Sequence, residues 1–177
     1  MPTQRFLLLL LAVLIGNVSV LTAQTPAPAN NEDEYRQEFR KRVSQDRLFG
    51  VYIPADTEEA LSELTRLSDG ESRRSFMAQP EDRAYAALEL TLGRWIVTNW
   101  GLHGGSRLSV YFGRRGLRHP DDVAHYLILA WHRQLTGKLL REEETIEQLT
   151  EARRAAVIAE RRRGTVIDST VRVKKPD

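Results

Sequence analysis

The sequence predicts an all-α protein, a compact bundle of about five to six helices, and three observations carry that prediction. Apolar residues recur at helical spacing in successive windows, most strongly between Pro80 and Trp100 and between Pro120 and Thr136. Gly101, Gly116 and Gly137 each follow such a run in the place of a helix stop. Strand-like sequence is confined to a short extended segment, Val51 to Pro54, and to an alternating stretch, Thr165 to Lys175, which predicts a short C-terminal strand or a loose end. The chain has 177 residues, 26 Lys and Arg against 24 Asp and Glu, and no Cys. This fits one modest domain held by core packing. It excludes disulfide frameworks, thiolate catalysis and Cys-based zinc sites. A net charge of +2 provides little long-range steering.

The N-terminus has the three-part layout of a secretory signal peptide: Arg5, an apolar run from Phe6 to Ile15, and a more polar stretch ending at Ala23. The run is shorter than the roughly 20 residues that span a bilayer, so cleavage after Ala23 is expected, with an uncleaved N-terminal membrane anchor as the alternative. The destination is then the periplasm or the medium. Residues 24–31, with Pro26 and Pro28, read as a flexible spacer. A helical domain is expected over 32–138, followed by a charged helix and basic tail over 139–177.

Within the domain, Tyr35, Phe39, Val43 and Leu48 form a thin stripe on a charged helix from Glu32 to Leu48. Asp56 or Thr57 caps a helix through Leu67, whose inner face is Ala60, Leu61, Leu64 and Leu67, and Ser68-Asp69-Gly70 ends it. The segment from Pro80 to Trp100 is apolar on nearly every side and is expected as the central element. Ser106 caps a helix to about Arg115 that buries Leu108, Tyr111 and Phe112, and Gly116 with Leu117 has the pattern of a Schellman ending. His119-Pro120-Asp121-Asp122 is a compact helix start. The helix runs to Thr136 with His125 and His132 facing outward. Arg141 to Arg163 is helical in propensity with a narrow stripe of Ile146, Leu149 and alanines.

The ordered motifs Val51-Tyr52-Ile53-Pro54, Asn99-Trp100-Gly101-Leu102, Gly105-Ser106-Arg107-Leu108, Tyr111-Phe112, Gly116 and His119-Pro120-Asp121-Asp122 resemble a family of small, often exported bacterial domains of unknown function. The resemblance covers residues 51–138. It implies no activity, cofactor or catalytic residue. The helix from Arg141 onward lies outside it.

The binding candidates are Asn99, Trp100, His103, Arg107, His119, Asp121 and Asp122. Glu89, Trp95, Gly101, Gly105, Ser106, Tyr111, Phe112, Gly116 and Pro120 are expected to act structurally. Asn99 is expected to tie down the Gly101–Ser106 loop, and Glu89 to pair with Arg107 between Ile96 and Trp100. Gly104 to Arg107 could hold a small anionic ligand at a helix start. Asp121, His125 and His132 do not make a metal site, because 121 and 132 lie about 16 Å apart along a helix rising ~1.5 Å per residue. No cofactor and no specific nucleic-acid binding are expected. The function read from these residues is a non-enzymatic binding or interaction module of the cell envelope, with an unknown protein or a small anion as partner. Arg161, Arg162, Arg163, Lys174 and Lys175 offer a weak contact to an anionic surface. The alternative is a small metal-independent hydrolase using Glu89, His103, His119 and Asp121 or Asp122.

Overall fold

The computed structural model of the chain describes residues 31–167, with side-chain surroundings described through 163. The expected signal peptide, Lys174 and Lys175 lie outside the described residues, as does most of the expected C-terminal strand; residues 165–167 continue a helix instead. Among the described residues the fold is all-α, with one two-stranded antiparallel ribbon.

Asn31 caps α1 (Glu32–Ser44), its Oδ1 accepting from the Glu34 amide at 2.9 Å. This helix ends four residues before the expected Leu48, which instead lies in a hairpin of β1 (Arg47–Leu48) and β2 (Val51–Tyr52), with Leu48 opposite Val51. The hairpin turn places Phe49 and Gly50 at φ 50° and 83°, the double positive φ that suits the twist of a two-residue connection. Ile53 and Pro54 then run straight into the core.

Asp56 caps α2 (Thr57–Leu67). Ala60, Leu61 and Leu64 are buried as expected, but Leu67 is half exposed and Glu63 is buried in its stead, paired with Arg66 at 2.7 Å. Asp69 both follows α2 and starts an additional helix, α3 (Gly70–Met77), by accepting from the Glu71 and Ser72 amides. The sequence pattern gave no sign of α3, because Phe76 is its one buried residue.

The rod expected over 80–100 is interrupted. It comprises α4 (Glu81–Leu88), a π-helical turn (Glu89–Gly93) and α5 (Arg94–Asn99), with the Arg94 amide bonding back five residues to the Glu89 carbonyl. The wider turn shifts the inward stripe by one residue. Ala84 is buried before it and Gly93, Ile96, Val97 and Trp100 after it, while Leu90 is 76% exposed on the bulge.

Ser106 starts α6 (Arg107–Arg114) by exchanging hydrogen bonds with Ser109. The helix closes in a Schellman motif: the Leu117 amide bonds the Phe112 carbonyl at 3.0 Å and the Gly116 amide bonds Gly113 at 3.2 Å. His119 and Pro120 then open α7 (Pro120–Leu135). This helix, rather than the rod over 81–99, is the centre of the domain. It packs against α2, α3, α4, the π turn, α5, α6 and α8 (Glu142–Ile167), and buries residues on all sides, from Val123 and Tyr126 to Trp131 and His132. His132 therefore does not face outward; it is 2% exposed, with Nε2 3.0 Å from the Gln79 carbonyl. His125 is half-buried, stacked on Tyr85 at 3.8 Å between ring centroids.

Two ties fix the margins. Glu81, at the start of α4, accepts from Arg133 at 2.8 Å and from Lys138 at 2.7 Å. These bonds, Lys138 first, pull its carboxyl down to about 2. A depressed carboxylate stabilises the fold fully above its ordinary pKa of 4.5 and loses that contribution as pH falls toward 2. Acid titration followed by circular dichroism should show this loss, and Lys138→Ala should shrink it. At the other margin, α1 closes over the α5–α6 loop, with Arg42 donating to the Gly104 carbonyl at 2.8 Å. Gly105 has φ 86°, and a Cβ there would drive into the Phe39 ring. Gly105→Ala should cost about 2 kcal/mol in urea denaturation. Gly116→Ala, at φ 91° but with open space around it, should cost about half as much.

Candidate functional site

The candidate residues fall in three places. At the start of α6, Arg107 reaches back to the segment before α2. Its Nε donates to the Ile53 carbonyl at 2.6 Å, and Nη2 donates to Glu59 at 3.1 Å beside the Tyr52 ring. Glu59 also accepts from the Tyr52 hydroxyl at 2.7 Å and the Ala55 amide at 2.8 Å. These bonds, Tyr52 foremost, hold its carboxyl below the usual range. Arg107 thus pairs with Glu59 and not with Glu89. The Gly104–Arg107 turn is covered by Arg42 and Phe39 of α1, so it does not offer the open cradle an anion would need.

The second place is the end of α5. Asn99 donates to the Trp95 carbonyl one turn back at 2.9 Å, so its amide bonds back onto its own helix rather than fastening the following loop. Trp100 is fully buried, edge-on to Trp95 at 5.8 Å, and presents no surface. His103 is exposed in the loop. Trp95 also borders an apolar groove with Phe76, Leu88, Leu92 and Trp131.

The third place is the start of α7, and here the structure brings motif residues together with residues the sequence did not single out. Asp122, its side chain 13% exposed, holds Arg153 of α8 in a two-pronged pair at 2.6 and 3.0 Å. His119 Nδ1 stands 3.7 Å from Asp121. Tyr85 lies within the field of Glu89, Asp121 and Asp122. Burial first, then those charges and a hydrogen bond from the phenol to Glu89, push it up to about 12. Glu89 is accordingly exposed on the π turn and associated with Tyr85, not enclosed between Ile96 and Trp100. Burial against Tyr85 draws His125 below its ordinary value, against the opposing pull of Asp122 and Glu89.

Next to this cluster is a cleft of about 570 Å³ between the α6–α7 connection and α8, bordered by Arg118, His119, Asp122, Arg153 and Arg154. It adjoins a larger, more open cleft of about 1030 Å³, sharing Gly116, Thr150 and Arg154 with it. Arg115 joins that second cleft, lying over the Tyr111 ring at 3.7 Å and paired with Glu142 at 3.0 Å. Arg118, Arg153 and Arg154 are the residues that sequence reasoning missed. Arg153 meets Asp122 across 31 positions, a separation that no local spacing reveals.

Residues 53–135 match a family profile described as a domain of unknown function (DUF6794). No curated protein and no solved structure matches the chain. The matched segment runs from Ile53 to the end of α7, so Asp122 lies inside it and Arg153 outside.

The Asp122–Arg153 pair should be asymmetric when broken. Removing the guanidinium strands a largely buried carboxylate, whereas removing the carboxylate frees a side chain that is 40% exposed. Arg153→Ala should cost about 2 kcal/mol and Asp122→Ala about 1, with the double variant close to Asp122→Ala alone in a thermodynamic cycle.

Proposed function

We propose that this is an exported, non-enzymatic interaction module of the cell envelope, binding through the cleft where α7 begins and α8 passes over it. The observation that carries this reading is the state of the carboxylates paired to the fold's cations. Glu59, Glu63, Glu81 and Asp122 are each bound to a cation, and Glu59, Glu63 and Glu81 are all shifted downward. A hydrolytic general acid needs the reverse, a carboxyl held protonated near neutral pH. The histidine approach to a carboxylate at His119 and Asp121 is 3.7 Å, too long for a hydrogen bond.

The alternative hydrolase would draw on Glu89, His119, Asp121 and Asp122. What favours it is that Glu89, Asp121 and Asp122 act on one phenol, Tyr85. His103 lies in the α5–α6 loop and is not among the groups acting on that phenol. Export is supported by the apolar run Phe6 to Ile15 followed by Ala23. The exposed Arg161, Arg162 and Arg163, with Lys174 and Lys175, would add a weak contact to an anionic surface.

N-terminal sequencing of protein recovered from the envelope and the medium should begin at Gln24; an intact N-terminus in the membrane fraction would favour the anchor instead. A panel of chromogenic carboxylic and phosphoric esters should show no turnover, and turnover that disappears in His119→Ala would replace the binding reading with the hydrolase.

A further inference from the structure

We propose that the cleft between the α6–α7 connection and α8 is a binding site for a phosphate monoester, held by Arg118, Arg154 and His119 while Asp122 fixes Arg153 at its wall. The inference rests on the binding-module reading and names the ligand class for that site. Three guanidinium groups and one carboxylate border the cleft, and that carboxylate is already taken up by Arg153. Among the described residues, the Arg118 and Arg154 side chains have neither a hydrogen-bond nor an ion-pair partner, and His119 Nδ1 is buried without a hydrogen-bond partner, 3.7 Å from Asp121.

The donor count selects the ligand. Each guanidinium offers about five N–H donors, and a carboxylate has only two oxygens to receive them. A phosphate monoester presents three terminal oxygens and up to two negative charges, which two arginines and an imidazole can match. A volume of about 570 Å³ admits a small phosphorylated molecule or one headgroup. The neighbouring cleft limits the remainder of the ligand, because its lining includes Glu142, Glu143, Glu144, Glu147 and Glu151. A long polyanion would run into that wall, so one terminal phosphate fits and a nucleic-acid backbone does not.

The test is calorimetric titration of inorganic phosphate and glycerol phosphate into the purified protein at low salt, alongside cosedimentation with phosphatidic acid vesicles. Saturable binding is expected, weakened about tenfold or more in Arg118→Ala/Arg154→Ala and unchanged in Arg74→Ala on α3. Arg118 and Arg154 are exposed, so the double variant should keep the parent melting temperature, and that is checked in parallel. Binding of glycerol phosphate assigns the phosphate to a soluble ligand. Binding of vesicles alone, lost in the double variant, assigns it to a lipid headgroup. Absence of saturable binding in both arms, or equal binding by the double variant, overturns the site. Release of inorganic phosphate from glycerol phosphate would instead overturn the non-enzymatic reading while leaving the site in place.

Discussion

The charged and polar side chains on the covered faces of α7 draw partners from the surrounding elements, and the arrangement of those elements follows these contacts. Charges on the covered faces of a helix cannot turn to water, and an unpaired buried polar group costs about 1–3 kcal/mol. Four polar side chains of α7 each meet a different neighbour, while the Tyr126 hydroxyl and His132 Nδ1 have no hydrogen-bond partner. Asp122 takes Arg153 from α8, His125 stacks on Tyr85 of α4, and His132 bonds the Gln79 carbonyl after α3. Arg133 reaches Glu81, the Leu140 carbonyl and the Thr145 hydroxyl. The apolar side chains supply the driving force for burial, and these directional contacts determine which element lies at which level of the helix.

The helices were legible in the sequence wherever one face carried apolar residues at regular spacing. α2, α6 and α7 begin and end within a residue or two of the positions their caps and glycines indicate. What was not legible has two causes. The π turn at Glu89–Gly93 adds a residue that a fixed angular step cannot detect, so Glu89 and Asn99 were assigned surroundings they do not have. A helix buried on most of its circumference gives little contrast between an apolar and a polar arc, so the outward expectation for His132 fails. α3 is too polar to show any period, and its N-cap Asp69 looks the same in sequence whether a helix follows or not.

Motif residues close to one another in sequence serve different purposes in space. Arg107, Asn99 and Trp100 are engaged by the fold itself. His119 and Asp122 border open space, because the Schellman turn at Gly116 redirects the chain and leaves the start of α7 beside α8. The cleft therefore combines a segment within the matched domain with a helix beyond it. Chains that share the domain but differ after α7 would present a different wall to the same helix start.

The second half of α8 has a consequence for how the molecule melts. Its first turns bury Thr145 and Ile146 and engage Arg153, but residues 154–163 are all exposed. Helix persisting there depends on backbone bonds and local side-chain pairs such as Glu160 with Arg163, and owes little to the core. Such a segment frays gradually with temperature while the body unfolds in one step. Amide exchange along this one helix should accordingly fall into two regimes, slow through Arg153 and fast beyond it, although no break in the backbone separates them.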